Sequence, residues 1–258
     1  MEEIKDYKLL LDTAVLAGKI MLQNGAEIYR VEDTIHRMLK VSGFKTAEAY
    51  VTPTGLIVTL DDPKVASMTV VKRIDTRGTD LNKITMTNEI SRKFCAGEIT
   101  IKEAFHGLKH MQAEQYTNFQ KQLCNVLAAI AFCVLLGGDF PEILGAGIAG
   151  ACMVLVLSVS KKEELNYFMQ LLLASAMLSL MACLTANVWR ADMNRDMVII
   201  GGMMPIVPGA AITTAVRDTL QGDYVAGGAK ALEAFVRAAA IAIGVWTGMM
   251  IAGGVFGC

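Results

Sequence analysis

Aromatic residues make up only 7% of this sequence, histidine occurs three times and proline five times in 258 residues, and no lysine and arginine cluster follows a phosphate-binding pattern. Each scarcity removes a class of function. With a formal net charge of −1 there is no basic stripe to neutralise a nucleic-acid backbone, so no nucleic-acid partner is expected. The six cysteines, Cys95, Cys124, Cys133, Cys152, Cys183 and Cys258, show no CxxC spacing. Four of them fall in long apolar stretches, where cysteine usually serves as a small packing residue, and neither a disulfide framework nor a metal cluster is predicted. His106 and His110 stand four apart with Glu103 and Glu114 nearby, which is metal-ligand spacing on a helix. No glutamate adjoins the first histidine as in an HExxH site, and a solvated helix face accounts for the pair. Ser, His and Asp residues form no nucleophile elbow, so the sequence gives no support for an enzyme. No cofactor and no metal are expected. The first residues, MEEIKDYK, lack the basic run followed by an apolar stretch that marks a signal peptide, which places the first region in the cytosol.

Apolar side chains are what the chain has in excess. They make up 53% of it, against about 45–50% in a soluble domain, and the mean hydropathy is +0.43. The excess is uneven. Residues 1–117 hold most of the charge and read as a cytosolic α+β domain, whereas residues 118–258 are nearly continuous apolar runs and read as a domain of five transmembrane helices.

In the first region, Leu9, Leu10, Ala14, Leu16, Ala17, Ile20 and Met21 recur at helical spacing and stop at Asn24-Gly25. A second helix is predicted over Glu27 to Val41, ending near Gly43. Thr46 to Val51, Leu56 to Leu60 and Ala66 to Val71 read as strands, with turns at Pro53-Thr54-Gly55 and Asp61-Asp62-Pro63. Two more helices follow, near Leu81 to Cys95 and Ile101 to Gln115, the latter opened by a Thr100/Glu103 capping box.

A hydrocarbon core of about 30 Å needs about 20 helical residues. Five spans are predicted: Lys121 to Leu136, Glu142 to Val159, Leu165 to Trp189, Met197 to Val216 and Leu232 to Phe256. Lys121, Lys161, Lys162, Arg217 and Lys230 lie on one side and Arg190 and Arg195 on the other, which favours a cytosolic N-terminus and an outer C-terminal Cys258. Gly145, Gly147 and Gly150, and again Ala240, Gly244 and Gly248, form small-residue faces suited to close helix packing, within the chain or between subunits. The intramembrane polar residues are Asn125, Asn187 and the i,i+4 pair Glu233 and Arg237. No span is expected to carry an unpaired deep acid.

The fourth span is the unusual one, because it contains Gly201, Gly202, Pro205, Pro208 and Gly209 and runs into Arg217 and Asp218. Pro208 removes a backbone donor, so a broken helix is predicted there, with carbonyls near Met204 and Pro205 left without helical partners. Irregular backbone at membrane depth usually lines a cavity. A packing kink explains the break without a ligand. A substrate or gating site explains it too, with freed carbonyls for an ammonium group and a resumed helix N-terminus for a carboxylate. Thr213, Thr214, Arg217 and Asp218 would extend such a site, although threonines also bond back to their own helix and an arginine there also serves as a positive-inside anchor. In the soluble region, Glu27 with Arg30 and Arg30 with Asp33 stand at i,i+3 and are explained by a charge-laced helix face.

Two stretches resemble the threonine/serine exporter family: GAEIYRVEDTIHRM (Gly25 to Met38) followed by YVTPTGLIVTL (Tyr50 to Leu60), and PIVPGAAITTAVRDTLQGDYVAGGAKALEAF (Pro205 to Phe235). The resemblance covers nearly the whole chain. It implies a secondary transporter that exports a small amino acid such as threonine or serine, or a small carboxylate such as succinate, across the cytoplasmic membrane. It puts weight on Glu27, Arg30, Glu32, Asp33, Thr52, Pro53 and Gly55 in the soluble motif, and on Pro208, Gly209, Thr213, Arg217, Asp218 and Gly222 in the membrane motif. The soluble face would then gate the cytosolic mouth or contact the membrane region. Single-chain relatives carry a second, shorter membrane half, and split relatives have it as a separate protein. The chain ends after its fifth span and is expected to be the larger component of a split exporter, with a small membrane companion subunit, membrane lipid and a small-molecule substrate as partners, in a homo- or hetero-oligomer. The alternative is a membrane-anchored sensor or regulatory subunit without transport of its own, but an anchor needs no broken helix.

Overall fold

The computed structural model describes residues 6–63, 65–76, 78–111, 116–189 and 193–256. The predicted helix segment 112–115, Glu114, Arg190 and Cys258 lie outside them. Most of the described chain is helical, and its contacts divide it into two compact units. The first comprises residues 1–115 and, from far along the chain, 213–230; the second comprises 116–212 and 231–258.

The first unit begins with α1 (Tyr7–Gln23) and α2 (Ile28–Lys40). Asp6 caps α1 by accepting the Leu9 N–H at 2.9 Å, and the chain leaves it through Gly25 at φ +89°, a backbone that costs glycine nothing. The two helices pack closely because position 18 is glycine; a Cβ there would run into the Ile35 side chain. Three strands follow as an antiparallel meander, β1 (Thr46–Thr52), β2 (Gly55–Asp62) and β3 (Val65–Arg73), in that spatial order. β1 gains Thr52, and β2 and β3 extend at both ends; at the first turn the Pro53-Thr54 loop is only two residues long and Thr52 already pairs with Gly55. Helices α3 (Leu81–Cys95) and α4 (Ile101–Lys109) complete this part, and the Thr100/Glu103 capping box is present. Helix α4 stops short of its predicted end because His110 leaves helical geometry at the C-cap, its Nδ1 lying 3.1 Å from the His106 carbonyl oxygen. Leu10, Leu11, Met21, Ile28, Ile35, Met38, Leu39, Leu56 and Leu60 form the core.

The second unit is built from α5 (Asn118–Leu135), α6 (Phe140–Lys162), α7 (Tyr167–Trp189), α8 (Arg195–Met203), the start of α9 (Gly209–Leu220) and most of α10 (Tyr224–Phe256). Helices α5, α6, α7 and α10 are long and apolar enough to cross a membrane, and α8 with α9 makes a fifth candidate if the bent pair is one span. Its core is made of small residues, Ala146, Ala149, Ala174, Ala182 and Cys133 with Met153 and Leu178, while large apolar side chains such as Leu155, Trp246 and Phe235 face outward. That inversion suits a lipid surround, where helices associate by close packing and no hydrophobic drive separates them from solvent. The predicted small-residue face of α10 meets α7: a Cβ at Gly244 would collide with Ser175 and the Leu172 carbonyl, and one at Gly248 with Ser179 and the Ala176 carbonyl. The Ser179 hydroxyl lies 3.0 Å from the Val245 carbonyl oxygen. Helix α10 corrects one expectation. The stretch from Arg217 to Lys230 is not a loop, because α9 runs to Leu220 and α10 starts at Tyr224, joined by three residues that turn at Gly222 with φ +92°.

Candidate functional site

The break in the fourth span lies where Pro208 interrupts it. Helix α8 ends at Met203, a single 3-10 turn covers Met204–Ile206, Val207 is extended at φ −63° and ψ 132°, and α9 starts at Gly209. The two helices are bent by 58°. Pro205 and Pro208 both lack the N–H that would continue the helical ladder. The Met204 carbonyl is not left free as expected: it accepts the Val207 N–H at 3.3 Å, because the tighter turn recovers one bond. The Pro208 carbonyl accepts from Ile212 at 3.1 Å. Pro208 is buried, Pro205 half-buried and Gly209 exposed. Gly201 and Gly202 let α8 sit against its neighbours, since a Cβ would come within 2.8 Å of the Cys133 Cα and within 2.7 Å of the Leu178 Cδ1 respectively.

Past the break, the rest of α9 and the start of α10 form a helical hairpin belonging to the first unit. Gly227 allows the close approach, as a Cβ there would meet the Ala215 carbonyl oxygen at 3.0 Å and collide with the Thr219 hydroxyl. Ala226 enters the same core cluster as Leu10 and Ile28. Asp218 is fully buried, and Lys230 donates to its Oδ2 at 2.7 Å while Oδ1 has no hydrogen-bond partner among the described residues. Arg217, more exposed, forms an ion pair with Glu27 at the start of α2. Thr213 is exposed and Thr214 half-buried on α9.

Glu27 occupies the N-cap position of α2 without capping it, which leaves its carboxylate for Arg217. The Tyr29 hydroxyl also bonds to Glu27, and that hydrogen bond pushes the phenol above its ordinary value, helped by burial and the Glu27 charge and opposed by Arg217 and Arg30. Glu32 ties α2 to β1 by accepting the Val51 N–H at 2.9 Å, next to the Thr52-Pro53-Gly55 turn, in which the Thr52 hydroxyl donates to the Gly55 carbonyl at 3.1 Å. Burial raises the Glu32 carboxyl above its ordinary range, the Val51 N–H opposes this, and the charge of Asp223 in the hairpin adds to the rise. The two motifs thus meet at Glu27 and Arg217. Arg30 and Asp33 do not join them: both are exposed, and Asp33 pairs with Arg37 at 2.8 Å. The i,i+3 pairs read from the sequence give way to Glu27–Arg217 and Asp33–Arg37, because the hairpin supplies a cation and i,i+4 reaches better along the helix.

In the second unit, Glu233 and Arg237 pair as their spacing predicts, and the guanidinium lies 4.7 Å from the centre of the Tyr167 ring. Asn125 and Asn187 are exposed on α5 and α7, and the exposed His106 and His110 rings in the first unit lie 4.2 Å apart. Among the described residues no group of three metal-ligand side chains occurs.

Three residues escape the sequence reading. Tyr29 lies inside the quoted motif but carries no charge, and Lys230 reads as a loop cation until α10 is seen to include it. Glu142 is only 5% exposed, with Oε1 accepting the Asn194 N–H at 2.8 Å and Oε2 buried without a partner among the described residues. It lies in the first turn of α6, at the end of a span and not deep within one. Its place at the very start of a predicted span made it read as an interfacial charge.

A family model described as "Putative threonine/serine exporter" (ThrE) matches residues 12–252. No curated protein and no solved structure matches the chain. The matched stretch takes in the meander, both halves of the broken helix and all but the last residues of the candidate spans, and ThrE is a family of transporters. With nearly its whole length so matched, this multi-pass membrane protein belongs to the threonine/serine exporter family.

Proposed function

We propose that this chain is the larger component of a two-part secondary exporter that moves a small amino acid, threonine or serine, or a small carboxylate out of the cell. Its partner in this reading is a small membrane companion of the same family. Substrate passes by alternating access around the break between α8 and α9, and the N-terminal α+β region lies in the cytosol.

The observation that carries the reading is the ion pair between Arg217, in the second half of the broken helix, and Glu27 of the N-terminal region. A membrane anchor has no use for a broken helix, still less for one whose far half is tied to a soluble element. In this reading the Glu27–Arg217 pair is a gate on the cytosolic side: while it holds, α9 stays in its bent position, and its release lets α9 move. With the guanidinium exposed and the carboxylate partly sheltered, a pair of this kind contributes on the order of 1 kcal/mol, small enough to open and close on a transport timescale.

The test is efflux of radiolabelled threonine, serine and succinate from cells lacking their own exporters, with this chain expressed alone and with its companion at verified membrane levels. Efflux only with the companion is the expected result, and the labelled compound that moves names the substrate. No efflux of any of the three from properly inserted proteins overturns the exporter reading in favour of a sensor. Arg217→Gln is expected to lower efflux without lowering membrane insertion; undiminished efflux would remove Arg217 from the gate.

A further inference from the structure

Glu142 stands in the first turn of α6, and its carboxylate is held from two sides. The N-terminal end of its own helix favours negative charge, with the backbone N–H groups of Asp139 and of Glu142 itself turned toward it, and the strongest donor is the backbone N–H of Asn194, which Oε1 accepts at 2.8 Å. Asn194 is the N-cap of α8, its own side chain accepting from Asp196 at 3.0 Å and Met197 at 3.4 Å. Glu142 therefore fastens the first residue of the broken helix to α6. Its other oxygen, Oε2, is buried and has no donor among the described residues.

The surroundings decide what that oxygen can receive. Position 138 is glycine, where a Cβ would come within 3.2 Å of the Glu142 Cβ and 2.7 Å of the Cys133 Sγ. One turn on, Gly145 faces the Met193 methyl, Val198 and the Thr185 hydroxyl. That hydroxyl is within hydrogen-bond distance of the Met181 and Ala182 carbonyl oxygens of its own helix, at 2.9 and 3.0 Å. A sodium ion would need several more oxygens and a space to hold it; a proton needs neither. The other titratable or charged groups around Glu142 are few among the described residues: the Cys133 thiol on α5, Asp139 at the N-cap of α6, and Arg195 with Asp196 in the first turn of α8, 3.8 Å apart and solvent-exposed. Helix α7 contributes the Thr185 hydroxyl, which does not titrate.

We propose that Glu142 is a proton-binding site whose occupancy is coupled to the position of α8. The step is a simple transfer: a hydronium in water reaching the start of α6 gives its proton to Oε2, an O–H bond forms, and the carboxylate becomes neutral. The Asn194 N–H stabilises the anion, so tether and proton compete. While α8 is fastened, Glu142 stays ionised; when α8 moves away, the carboxyl loses its donor and takes up the proton. By linkage, protonation favours the arrangement in which the broken helix has moved. A proton entering at this end would thus drive the same element around which the substrate is proposed to pass. This inference rests on the exporter reading for its link to transport, but not for the proton site itself.

Two measurements keep the parts separate. Infrared titration of the full chain in lipid is expected to show the C=O stretch of a buried protonated carboxyl as the pH falls, lost in Glu142→Gln, which keeps volume and the acceptor for Asn194. Glu142→Asp, too short to reach Asn194, is expected to keep the band but titrate at higher pH, because the anion has lost its donor. An unchanged band in Glu142→Gln, or an unshifted one in Glu142→Asp, overturns the proposal, and the aspartate variant decides the matter should the glutamine variant not accumulate. In proteoliposomes with the companion, Glu142→Gln is expected to lose pH-gradient stimulation of threonine flux while exchange at equal pH continues; stimulation that persists overturns the coupling. Should wild type move no substrate at all, the exporter reading fails, the coupling falls with it, and the infrared band still decides whether Glu142 binds the proton.

Discussion

Lys230 and Asp218 form the most sheltered ion pair in the chain's described residues, with side-chain exposures of 15% and 0%. Removing one partner of a buried pair leaves an uncompensated charge, at a cost of about 3–5 kcal/mol, whereas replacing both with apolar groups can be near neutral. Lys230→Met is therefore expected to lower the melting temperature of the detergent-purified protein markedly, and adding Asp218→Leu is expected to recover much of the loss. A single variant that melts like wild type would show that Asp218 does not depend on Lys230. Glu32 makes a prediction in pH. Burial raises its folded-state pKa above the unfolded glutamate value, so between those two values the folded state holds the proton and the unfolded state does not. Stability attributable to Glu32 is thus present below that window and lost as pH rises through it. Glu32→Gln, which can still accept from Val51, is expected to be the more stable protein at neutral pH, with the difference vanishing in acid below the ordinary glutamate range. Melting curves across that range check it, and a constant difference would refute it. At this scale the sequence singled out Arg217, Asp218 and Glu27 but not that Arg217 pairs with Glu27 or Asp218 with Lys230. Partners 190 and 12 residues away have no periodic signature.

At the scale of the element, the broken helix was legible because proline acts locally: its missing donor and fixed φ break a helix wherever it stands. Pro208→Ala restores the donor and is expected to straighten the α8–α9 segment, leaving insertion intact and reducing efflux; efflux at the wild-type rate would show that the bend serves packing alone. Gly248 makes the opposite kind of prediction, about contact across helices. A side chain there meets Ser179 and the Ala176 carbonyl, so Gly248→Val is expected to destabilise the fold by about 1–3 kcal/mol through overpacking. Thermal unfolding reads it, and an unchanged melting temperature would place α10 elsewhere. The meander and the helices also followed from local rules, with alternation for strands and capping residues for helix starts. Their ends moved where local rules compete, as at His110, or where a helix continues past charges that looked like a loop. Lys230 and Arg217 are such charges: each found a carboxylate, which let α9 and α10 run on through them.

For the whole molecule, the assignment of residues 213–230 to the same compact unit as residues 1–115 has a topological consequence. The turn between α9 and α10 is therefore expected on the same side of the membrane as the N-terminal region, proposed above to be the cytosolic side, as the positive-inside count also favours. In a chain whose native cysteines are replaced by alanine, Gln221→Cys is expected to react with a membrane-impermeant thiol reagent only after permeabilisation, and Asp139→Cys in intact cells. The reverse pattern would invert the topology. What the sequence by itself determined is what depends on near neighbours: the apolar runs long enough for spans, the strand alternation, the break at Pro208 and, through two long motifs, the family. Only the tertiary structure decided which charges meet. Arg217 finds Glu27, Lys230 is drawn into burial by Asp218, and Glu142 fastens to the start of α8. The physical reason is range. Backbone geometry and hydrophobic periodicity act over a few residues, whereas an ion pair or a buried carboxylate is settled by whatever the folded chain brings within about 3 Å of it.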